Sequence, residues 1–255
     1  MTKSSQLAPV TVHIDVPLRF FLASPLHRIP ATLPLRSRRS IKDFIESLGI
    51  PHVEIGELRA DSRRVGFDYL LRGGERIEVR APELPIDLAR PGYLQPLPLS
   101  EPRFLCDVHL GKLTHALRLL GFDTAYRNHM DDRALADTAV HEQRVLLTRD
   151  RFLLRRSSLI HGYCVRHTDP DKQIREIVHR YGLARLARPF SRCLVCNGLL
   201  HSVDRQAILE HLPPKTAMYF DEFYQCQSCR KIYWPGSHYE KLDASVQDWL
   251  GKSKP

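Results

Sequence analysis

Four of the six cysteines form two C-x-x-C pairs, and no other feature restricts the fold of this 255-residue chain as strongly. Cys193 and Cys196 form the first pair, Cys226 and Cys229 form the second, and 29 residues lie between the two pairs. Two turns of this kind bring four thiolates around one Zn²⁺ ion in a tetrahedral arrangement, which leaves no open coordination position. The spacing therefore predicts a structural zinc site near the end of the chain, with a redox-active dithiol as the alternative.

The beginning of the chain bears on the same question, because disulfide bonds are typical of exported proteins. The first ten residues, MTKSSQLAPV, lack the apolar segment of a signal peptide, and no run of about 18 apolar residues occurs. We therefore expect a cytoplasmic protein without a membrane span, in which the paired cysteines bind metal. Cys106 and Cys164 lie in predicted strands and are expected to be buried as small apolar side chains.

The N-terminal part of the sequence predicts a small α+β unit. Residues 10–16, VTVHIDV, alternate apolar and polar positions as a half-buried strand does, and a second extended stretch is expected over residues 18–21. Ser40 and Gly49 enclose an amphipathic segment and predict a helix that begins and ends at these residues. Three short extended pieces are expected next, within residues 53–60, 64–71 and 75–81.

A linker is predicted by the six prolines between residues 82 and 102, and the pattern of the sequence changes after it. Apolar segments of strand length then alternate with segments of helical periodicity. The strand candidates are RFLCDV, DTAYR, RVLLT and GYCVRH, and the helix candidates are LGKLTHALRLLGF, DDRALADTAVHEQ and DKQIREIVHRYGL. This alternation predicts an α/β domain with a parallel sheet and helices packed on it.

Three aspartates are expected at one edge of this sheet. Asp107 and Asp150 each follow a predicted strand, and ligand sites in parallel α/β sheets lie beyond the carboxyl ends of the strands. Asp132 shares the inner stripe of its helix with Leu135, whereas Asp131 is rotated from that stripe by about 100° and is expected to cap the helix. Clustered carboxylates are stable together when a hard divalent cation binds them, so Mg²⁺ or Mn²⁺ and hydrolysis of a phosphodiester are predicted. Each aspartate taken alone is more often a structural cap of a turn or a helix, and it is the conjunction of three at one edge that favours a functional site.

The formal net charge of +9 indicates an anionic partner, such as a nucleic-acid backbone. Residues 101–190 are the most basic part of the chain, with 16 Lys and Arg against 11 Asp and Glu. The residues expected to hold phosphates there are Lys112, Arg149, Arg151, Arg155 and Arg156. For Arg155 and Arg156 the alternative is an ordinary solvated face.

Five segments between about residues 102 and 242 occur in a characteristic order: FLCDVHLGKLTHALRLLGFDT, DDRALADTA, RVLLTRDRFLLRR, RCLVCNGLL and CQSCRKIYWPGSHY. Together they resemble the Mut7-C family. The resemblance implies a PIN-like, three-layer α/β ribonuclease domain followed by a zinc ribbon. It also implies metal-dependent RNA cleavage, with Asp107, Asp132 and Asp150 as Mg²⁺ or Mn²⁺ ligands. PIN-like sites often employ a fourth acid, for which Asp131 is the nearest candidate.

Aromatic and basic residues follow the second cysteine pair. They are Arg230, Lys231, Tyr233, Trp234, His238 and Tyr239. Aromatic rings stack on unpaired bases while cations meet phosphate, so Arg230, Lys231 and His238 are expected to bind RNA. The alternative is that Tyr233 and Trp234 pack the core of the ribbon, which we favour for Trp234. The segment HLPPKTAMYFDEF, between the cysteine pairs, is expected to form a long loop.

The N-terminal unit resembles the ubiquitin-like β-grasp domain that precedes Mut7-C domains. The segment LLRGG at residues 70–74 is similar to the tail of ubiquitin, but ERIEVRAP follows it directly. A carrier protein needs its two glycines at a free C-terminus, so Gly73 and Gly74 are expected to form a turn between strands. This domain is therefore expected to act as an adaptor for RNA or for a protein partner.

The predicted domains are a β-grasp domain at residues 1–82, a linker at 83–101, a PIN-like domain at 102–188, a zinc ribbon at 189–242 and a tail at 243–255. The leading hypothesis is a metal-dependent ribonuclease. One alternative is a catalytically silent RNA- or ribosome-associated binding protein, which would bind RNA without cleaving it. Another is a sulfur-carrier-linked factor in RNA modification, which would form an adduct on the N-terminal domain.

Overall fold

The computed structural model of the chain describes residues 7–23, 30–127 and 130–251. The chain divides into two units, each built from separate stretches of the sequence. The first unit comprises Met1–Glu101 and Met130–Cys164, and the second comprises Pro102–His129 and Val165–Pro255. The predicted PIN-like segment therefore contributes to both units.

The N-terminal segment forms a five-stranded sheet and a helix. Its elements are β1 Val10–Ile14, β2 Ala31–Leu33, α1 Ile41–Leu48, β3 Glu57–Ala60, β4 Arg63–Arg64 and β5 Arg76–Arg80. The strand order is β2-β1-β5-β3-β4, and β1 pairs in parallel with β5, with Thr11 opposite Arg76. The other pairs are antiparallel. The predicted ubiquitin-like α+β domain is confirmed.

Helix α1 begins and ends at the residues that the sequence indicates. The hydroxyl of Ser40 accepts a hydrogen bond of 3.0 Å from the backbone N–H of Asp43. Gly49 ends the helix with a φ of 114°, a left-handed conformation that glycine adopts without a steric penalty from a Cβ atom. The apolar face of the helix buries Ile41, Phe44 and Ile45.

The stretch after β1 is helical rather than extended. Val16–Phe21 form a 3-10 helix with Pro17 in its first turn, where the missing N–H of proline costs no hydrogen bond. Residues three apart share one face of a 3-10 helix, and Leu18 and Phe21 are accordingly both buried. The strand expected over residues 18–21 is therefore wrong.

The two glycines of LLRGG lie at a bend before β5. Gly73 and Gly74 have φ angles of 96° and 91°, which residues with a Cβ atom rarely adopt. The backbone N–H of Gly73 donates to the carboxylate of Glu75 at 2.7 Å. A Cβ atom on Gly73 would lie 2.8 Å from the carbonyl oxygen of Ala8. The glycines thus belong to a packed turn, as predicted.

Strands and helices alternate after the linker, as the sequence pattern predicts. The elements are β6 Arg103–Cys106, α2 Gly111–Leu119, β7 Asp123–Tyr126, α3 Asp132–His141, β8 Val145–Thr148, β9 Gly162–Cys164 and α4 Pro170–Arg180. In the second unit β6 and β7 pair in parallel, with Arg103 opposite Asp123. In the first unit β8 and β9 also pair in parallel, with Leu146 opposite Gly162. The predicted α/β fold with parallel strands is confirmed.

Within the first unit, the ubiquitin-like sheet domain contacts the segment that contains β8 and β9. The carboxylate of Glu54, which is fully buried, accepts a hydrogen bond of 2.7 Å from the backbone N–H of Cys164 in β9. A nitrogen of the buried His52 ring lies 2.8 Å from the carbonyl oxygen of Leu159. These bonds join residues more than 100 positions apart in the chain.

The C-terminal segment forms a three-stranded antiparallel sheet with short helices. Its elements are β10 Leu200–Val203, α5 Arg205–Ile208, α6 Pro214–Tyr219, β11 Phe223–Cys226, β12 Ile232–Tyr233 and α7 Tyr239–Trp249. The strand order is β10-β11-β12. A small core contains Ile208, Leu212 and Phe223, and Trp234 packs against it, as we favoured for that residue. The long loop expected between the cysteine pairs is wrong, because Pro214 lies in the first turn of α6.

The C-terminal helix α7 passes through residues 242 and 243, where the sequence suggested a boundary between the ribbon and a tail. Helices α4 and α7 have 11 residues each, whereas a membrane span needs about 20 apolar residues. Across residues 7–23, 30–127 and 130–251, no helix combines the length and apolar character that a membrane crossing requires.

Candidate metal centre and acidic residues

The four paired cysteines converge on one point in the second unit. Their Sγ atoms all lie within 4.8 Å of one another. Cys193 Sγ is 3.6 Å from Cys229 Sγ, and Cys196 Sγ is 3.3 Å from Cys226 Sγ. A tetrahedron of sulfur atoms with Zn–S bonds of about 2.3 Å has edges of about 3.8 Å, so these separations fit a Zn²⁺ ion. The predicted four-cysteine cluster is confirmed, and its geometry can hold a zinc ion.

The two C-x-x-C turns have the same backbone geometry. The N–H of Cys196 points to Cys193 Sγ at 3.5 Å, and the N–H of Cys229 points to Cys226 Sγ at the same distance. The residue after each turn has a positive φ angle, 71° at Asn197 and 61° at Arg230. Each turn therefore directs a backbone donor toward a sulfur, which stabilises the thiolate form that zinc requires.

The electrostatics of the cluster favour a bound cation. Desolvation and hydrogen bonds with the neighbouring sulfurs together raise the pKa of the Cys196 thiol to about 12. Burial also raises the pKa of Cys193, but hydrogen bonds from the Tyr233 hydroxyl and from backbone N–H groups outweigh this effect and lower it to about 6. Four thiolates at this spacing repel one another, so they ionise together when a divalent cation compensates their charge.

Two side chains fix the first cysteine turn through contacts that the sequence does not predict. The Tyr233 hydroxyl lies 3.1 Å from Cys193 Sγ and accepts a hydrogen bond of 3.2 Å from the N–H of Leu194. The buried guanidinium of Arg118, on α2, donates to the carbonyl oxygens of Leu194 and Val195 at 3.0 and 2.9 Å. The signal for Arg118 in the sequence is a single charge inside the apolar run ALRLL.

Asp107 and Asp150 each lie just beyond the carboxyl end of a strand, as predicted. Asp107 directly follows β6, is buried, and accepts a hydrogen bond of 2.9 Å from the backbone N–H of His109. Asp150 lies two residues beyond β8, is exposed, and accepts a hydrogen bond of 2.7 Å from the backbone N–H of Phe152. In both residues a backbone N–H orients one carboxylate oxygen.

The remaining two aspartates begin helix α3. Asp131 caps the helix, because its carboxylate accepts a hydrogen bond of 2.8 Å from the backbone N–H of Ala134, as predicted. Asp132 is the first helical residue and is exposed, while Leu135 on the same stripe is buried. In the described part of the chain, the four cysteines are the one group of three or more Cys, His, Asp and Glu side chains placed so that they could hold a metal ion. A metal-binding role of the aspartates therefore stays a prediction.

The predicted phosphate-binding residues have different surroundings. The guanidinium of Arg151 lies 4.2 Å from the centroid of the Phe20 ring, and that of Arg155 donates to the carbonyl oxygen of Gly49 at 3.1 Å. Both arginines therefore contact the ubiquitin-like domain within the first unit. Arg156 is half-buried, and the exposed members of the set are Lys112, Arg149, Arg230, Lys231 and His238. Their binding of RNA stays a prediction.

The family of the chain follows from a comparison with known protein families. Residues 102–246, more than half of the chain, match the family model of the Mut7-C RNAse domain. The chain belongs to the Mut7-C RNAse domain family. The Mut7-C match begins one residue before β6, ends within α7, and includes both the aspartates and the cysteine cluster. Residues 8–87 match the Mut7-C ubiquitin family model, which agrees with the N-terminal sheet.

The search of curated proteins and the search of solved structures found no match for this Mut7-C chain. The family models and the geometry of the chain are thus the basis on which its chemistry is inferred. They agree on the order of the parts: a ubiquitin-like domain precedes an RNAse domain that includes a four-cysteine cluster.

Proposed function

We propose that this Mut7-C protein is a metal-dependent ribonuclease that hydrolyses phosphodiester bonds of RNA. The observation that carries the proposal is the match of residues 102–246 to the Mut7-C RNAse domain. In the proposal Asp107, Asp132 and Asp150 hold Mg²⁺ or Mn²⁺, with Asp131 as the candidate for a fourth acid. The four-cysteine cluster holds Zn²⁺ and keeps the C-terminal segment folded.

The chemistry of the donor set supports a hard cation. Carboxylate oxygens are the ligands that Mg²⁺ and Mn²⁺ prefer. Backbone N–H groups of His109 and Phe152 fix one oxygen of Asp107 and of Asp150. A carboxylate held in this way loses little rotamer freedom when it binds a cation, which favours binding.

When bound, the cation supplies Lewis acidity that activates water and stabilises the departing oxygen. The protein side chains have two other tasks, which are to orient the cation and to hold the RNA. The aspartates orient the cation, and exposed cations such as Arg149 and Lys112 hold the RNA backbone without reading its sequence. Arg151 and Arg155 combine this task with their contacts to Phe20 and Gly49.

The ubiquitin-like domain acts in the proposal as a fixed adaptor for RNA or for a protein partner. Two observations support this role rather than sulfur transfer. Gly73 and Gly74 lie in a packed turn before β5, and neither glycine is at a chain terminus. His52 and Glu54 hydrogen-bond to the β8–β9 segment of the RNAse domain, which ties the adaptor to the catalytic part of the chain.

Cleavage assays of Asp→Asn variants test the proposal. Asparagine keeps an oxygen that accepts the backbone hydrogen bond at Asp107 and Asp150, so these variants lose charge without losing the local turn. We expect Asp107→Asn, Asp132→Asn and Asp150→Asn to lower the rate of RNA cleavage in Mn²⁺ by about 100-fold or more, since each removes a ligand of the cation.

Two acids at α3 separate the effect of a ligand from the effect of the helix. Asp131→Asn retains the cap of the helix, because asparagine caps as well as aspartate, so a loss of cleavage in this variant reports the charge of Asp131 and not the fold of α3. Asp137→Asn removes an exposed acid of the same helix and is expected to have no effect. A loss in Asp131→Asn would identify Asp131 as the fourth acid. Undiminished cleavage by both Asp107→Asn and Asp150→Asn would overturn the assignment, and RNA binding without cleavage by the wild type would favour the silent binding protein.

A further inference from the structure

One face of the three-stranded sheet in the C-terminal segment lines an open cavity of about 820 Å³. Tyr224 in β11 lies opposite Ser202 in β10 and opposite Tyr233 in β12, and all three residues line the cavity. Residues directly opposite one another in antiparallel strands project to the same side of a sheet. The two tyrosines therefore form an aromatic row across this face.

A second pair of aromatic rings also lines the cavity. The rings of Phe190 and Tyr239 have centroids 4.8 Å apart and planes inclined by 36°, and both residues line the cavity. Leu119 and Leu242 add apolar surface. Pockets for small ligands have volumes of about 300 to 1,000 Å³ and are mostly apolar with a few polar groups, so the cavity has the size and character of a binding site.

Val203 and Phe223 lie opposite each other on the other face of the sheet and pack with Ile208 and Leu212 in the small core. Ile232 and Trp234 contact this core and also line the cavity. Tyr224 is 40% exposed. The ring of Tyr233 is held in place by the hydroxyl contact with Cys193 Sγ, so part of the aromatic row is fixed before any ligand binds.

The charges around the cavity favour an anionic occupant. Lys231 lines the cavity and is exposed, Arg230 precedes it and is exposed, and His238 lies in the lining. Arg192 also lines the cavity, but it donates to the carbonyl oxygens of Gly121 and Asn197. Glu222 is the acidic residue of the lining. A lining of aromatic rings with cations beside them suits a ligand that has both a flat ring and a phosphate group.

We propose that this cavity binds an unpaired nucleotide of single-stranded RNA. The base stacks against Tyr224 and Tyr239, and the adjacent phosphates approach Lys231 and Arg230. Bases in a duplex are stacked on one another and cannot enter such a cavity, so the proposal selects single-stranded RNA as the ligand class. The choice of RNA as ligand rests on the proposed ribonuclease function. Binding of RNA to the cavity can nevertheless be measured separately from cleavage.

Fluorescence anisotropy of a labelled eight-nucleotide oligouridylate, titrated with the zinc-loaded protein in buffer without added Mg²⁺ or Mn²⁺, tests the proposal. Tyr224→Ala is expected to weaken binding about 5- to 100-fold, because one stacking interaction is lost. Tyr224→Phe keeps the ring and is expected to bind as the wild type does. Lys231→Ala is expected to weaken binding and to reduce its dependence on salt, since one phosphate contact is lost. A duplex of the same length is expected to bind more weakly than the single strand.

Tyr219→Ala is the matched control, since Tyr219 is an exposed tyrosine of the same segment that does not line the cavity. In the Trp249→Phe background Trp234 is the remaining tryptophan, and we expect single-stranded RNA to change its emission because Trp234 lines the cavity. Equal affinity of the wild type, Tyr224→Ala and Tyr239→Ala for the oligonucleotide would overturn the proposal. So would binding of peptides in the cavity with no competition from RNA.

The cavity and the proposed catalytic site are tested separately. Asp150→Asn is expected to retain full affinity for the oligonucleotide while losing cleavage. Tyr224→Ala is expected to raise KM with kcat unchanged, because stacking at the cavity binds substrate without taking part in the reaction. Binding without cleavage in the wild type would contradict the ribonuclease proposal alone, whereas cleavage with unchanged KM in Tyr224→Ala would contradict the cavity proposal alone.

Discussion

The buried carboxylate of Glu54 accepts a hydrogen bond of 2.7 Å from the backbone N–H of Cys164, which follows it by 110 residues in the chain. Cys164 ends the last strand of the parallel pair β8–β9, and Glu54 belongs to the ubiquitin-like domain. A side chain of the ubiquitin-like domain thus accepts the hydrogen bond of a backbone N–H in the RNAse domain. This relationship makes the ubiquitin-like domain a structural part of the first unit.

Replacement of Glu54 is therefore expected to destabilise the first unit. Glu54→Ala leaves the N–H of Cys164 buried without this acceptor, which costs about 1 to 3 kcal/mol in the free energy of unfolding. Glu54→Gln keeps an acceptor oxygen and is expected to lose less stability. Urea unfolding monitored by circular dichroism measures both variants. Glu83→Ala, at an exposed position, is the control and is expected to match the wild type; equal stability of Glu54→Ala and Glu83→Ala would show that the bond is unimportant.

Removal of a zinc ligand is expected to unfold the C-terminal segment. Its core is small, so the free energy of metal binding contributes directly to its folding. The wild type is expected to carry one Zn²⁺ per chain, and Cys226→Ala to carry none and to melt at lower temperature. Elemental analysis and calorimetry measure these quantities. Cys106→Ala, which removes a buried thiol outside the cluster, is expected to keep its zinc; metal loss in both variants alike would contradict the assignment.

The stability of the first unit is expected to decrease as pH falls through the range where histidine titrates. Burial lowers the pKa of His161, and the hydrogen bond from its ring to the carbonyl oxygen of Leu97 only partly opposes this effect. The unfolded chain, in which the pKa of histidine is about 6.5, therefore takes up the proton first, and protonation favours unfolding. This contribution to stability is present above about pH 6.5 and is lost as the pH falls toward the lowered pKa of the folded state.

His161→Gln removes the titrating group and keeps an N–H donor for Leu97. The free energy of unfolding of this variant is expected to fall less than that of the wild type between about pH 7 and pH 5. At about pH 8 the imidazole is neutral in both states, so the difference measured there reports packing alone. Parallel pH profiles of the two proteins would contradict the expected role of His161.

The features that the sequence predicts correctly depend on residues close together in the chain. Ser40 caps α1 through the N–H of Asp43, and Gly49 ends it, because both effects act within one helical turn. The C-x-x-C spacing likewise determines each cysteine turn locally. The alternation of strands and helices follows from hydrophobic periodicity, which requires no knowledge of long-range contacts.

The sequence does not predict the features that depend on burial or on contacts between residues far apart in the chain. Val16–Phe21 are apolar enough for a strand, but Pro17 and the burial of two residues three apart favour a 3-10 helix. The prolines of HLPPKTAMYFDEF indicate a loop, although proline is also favoured in the first turn of a helix, where Pro214 lies. The contacts of His52, Glu54 and Tyr233 join distant residues, and no local pattern marks them.

The candidate nuclease site depends partly on local sequence patterns and partly on tertiary contacts. The positions of Asp107 and Asp150 after their strands, and the cap at Asp131, follow from local patterns and were predicted. The contacts of Arg151 and Arg155 with the ubiquitin-like domain depend on tertiary packing and were not predicted. The sequence shows their positive charge, but charge alone does not distinguish a contact with aromatic rings from a contact with phosphate.

The most direct test of the account is the single-turnover rate of RNA cleavage measured against Mn²⁺ concentration for the zinc-loaded wild type, Asp107→Asn and Asp150→Asn. The wild-type rate is expected to rise with Mn²⁺ and then saturate, because cleavage requires a bound cation. Both variants are expected to remain about 100-fold or more below it at every concentration, since each has lost a charged ligand. Three coinciding curves, or cleavage by the wild type that is independent of Mn²⁺ and Mg²⁺, would contradict the proposed metal-dependent ribonuclease.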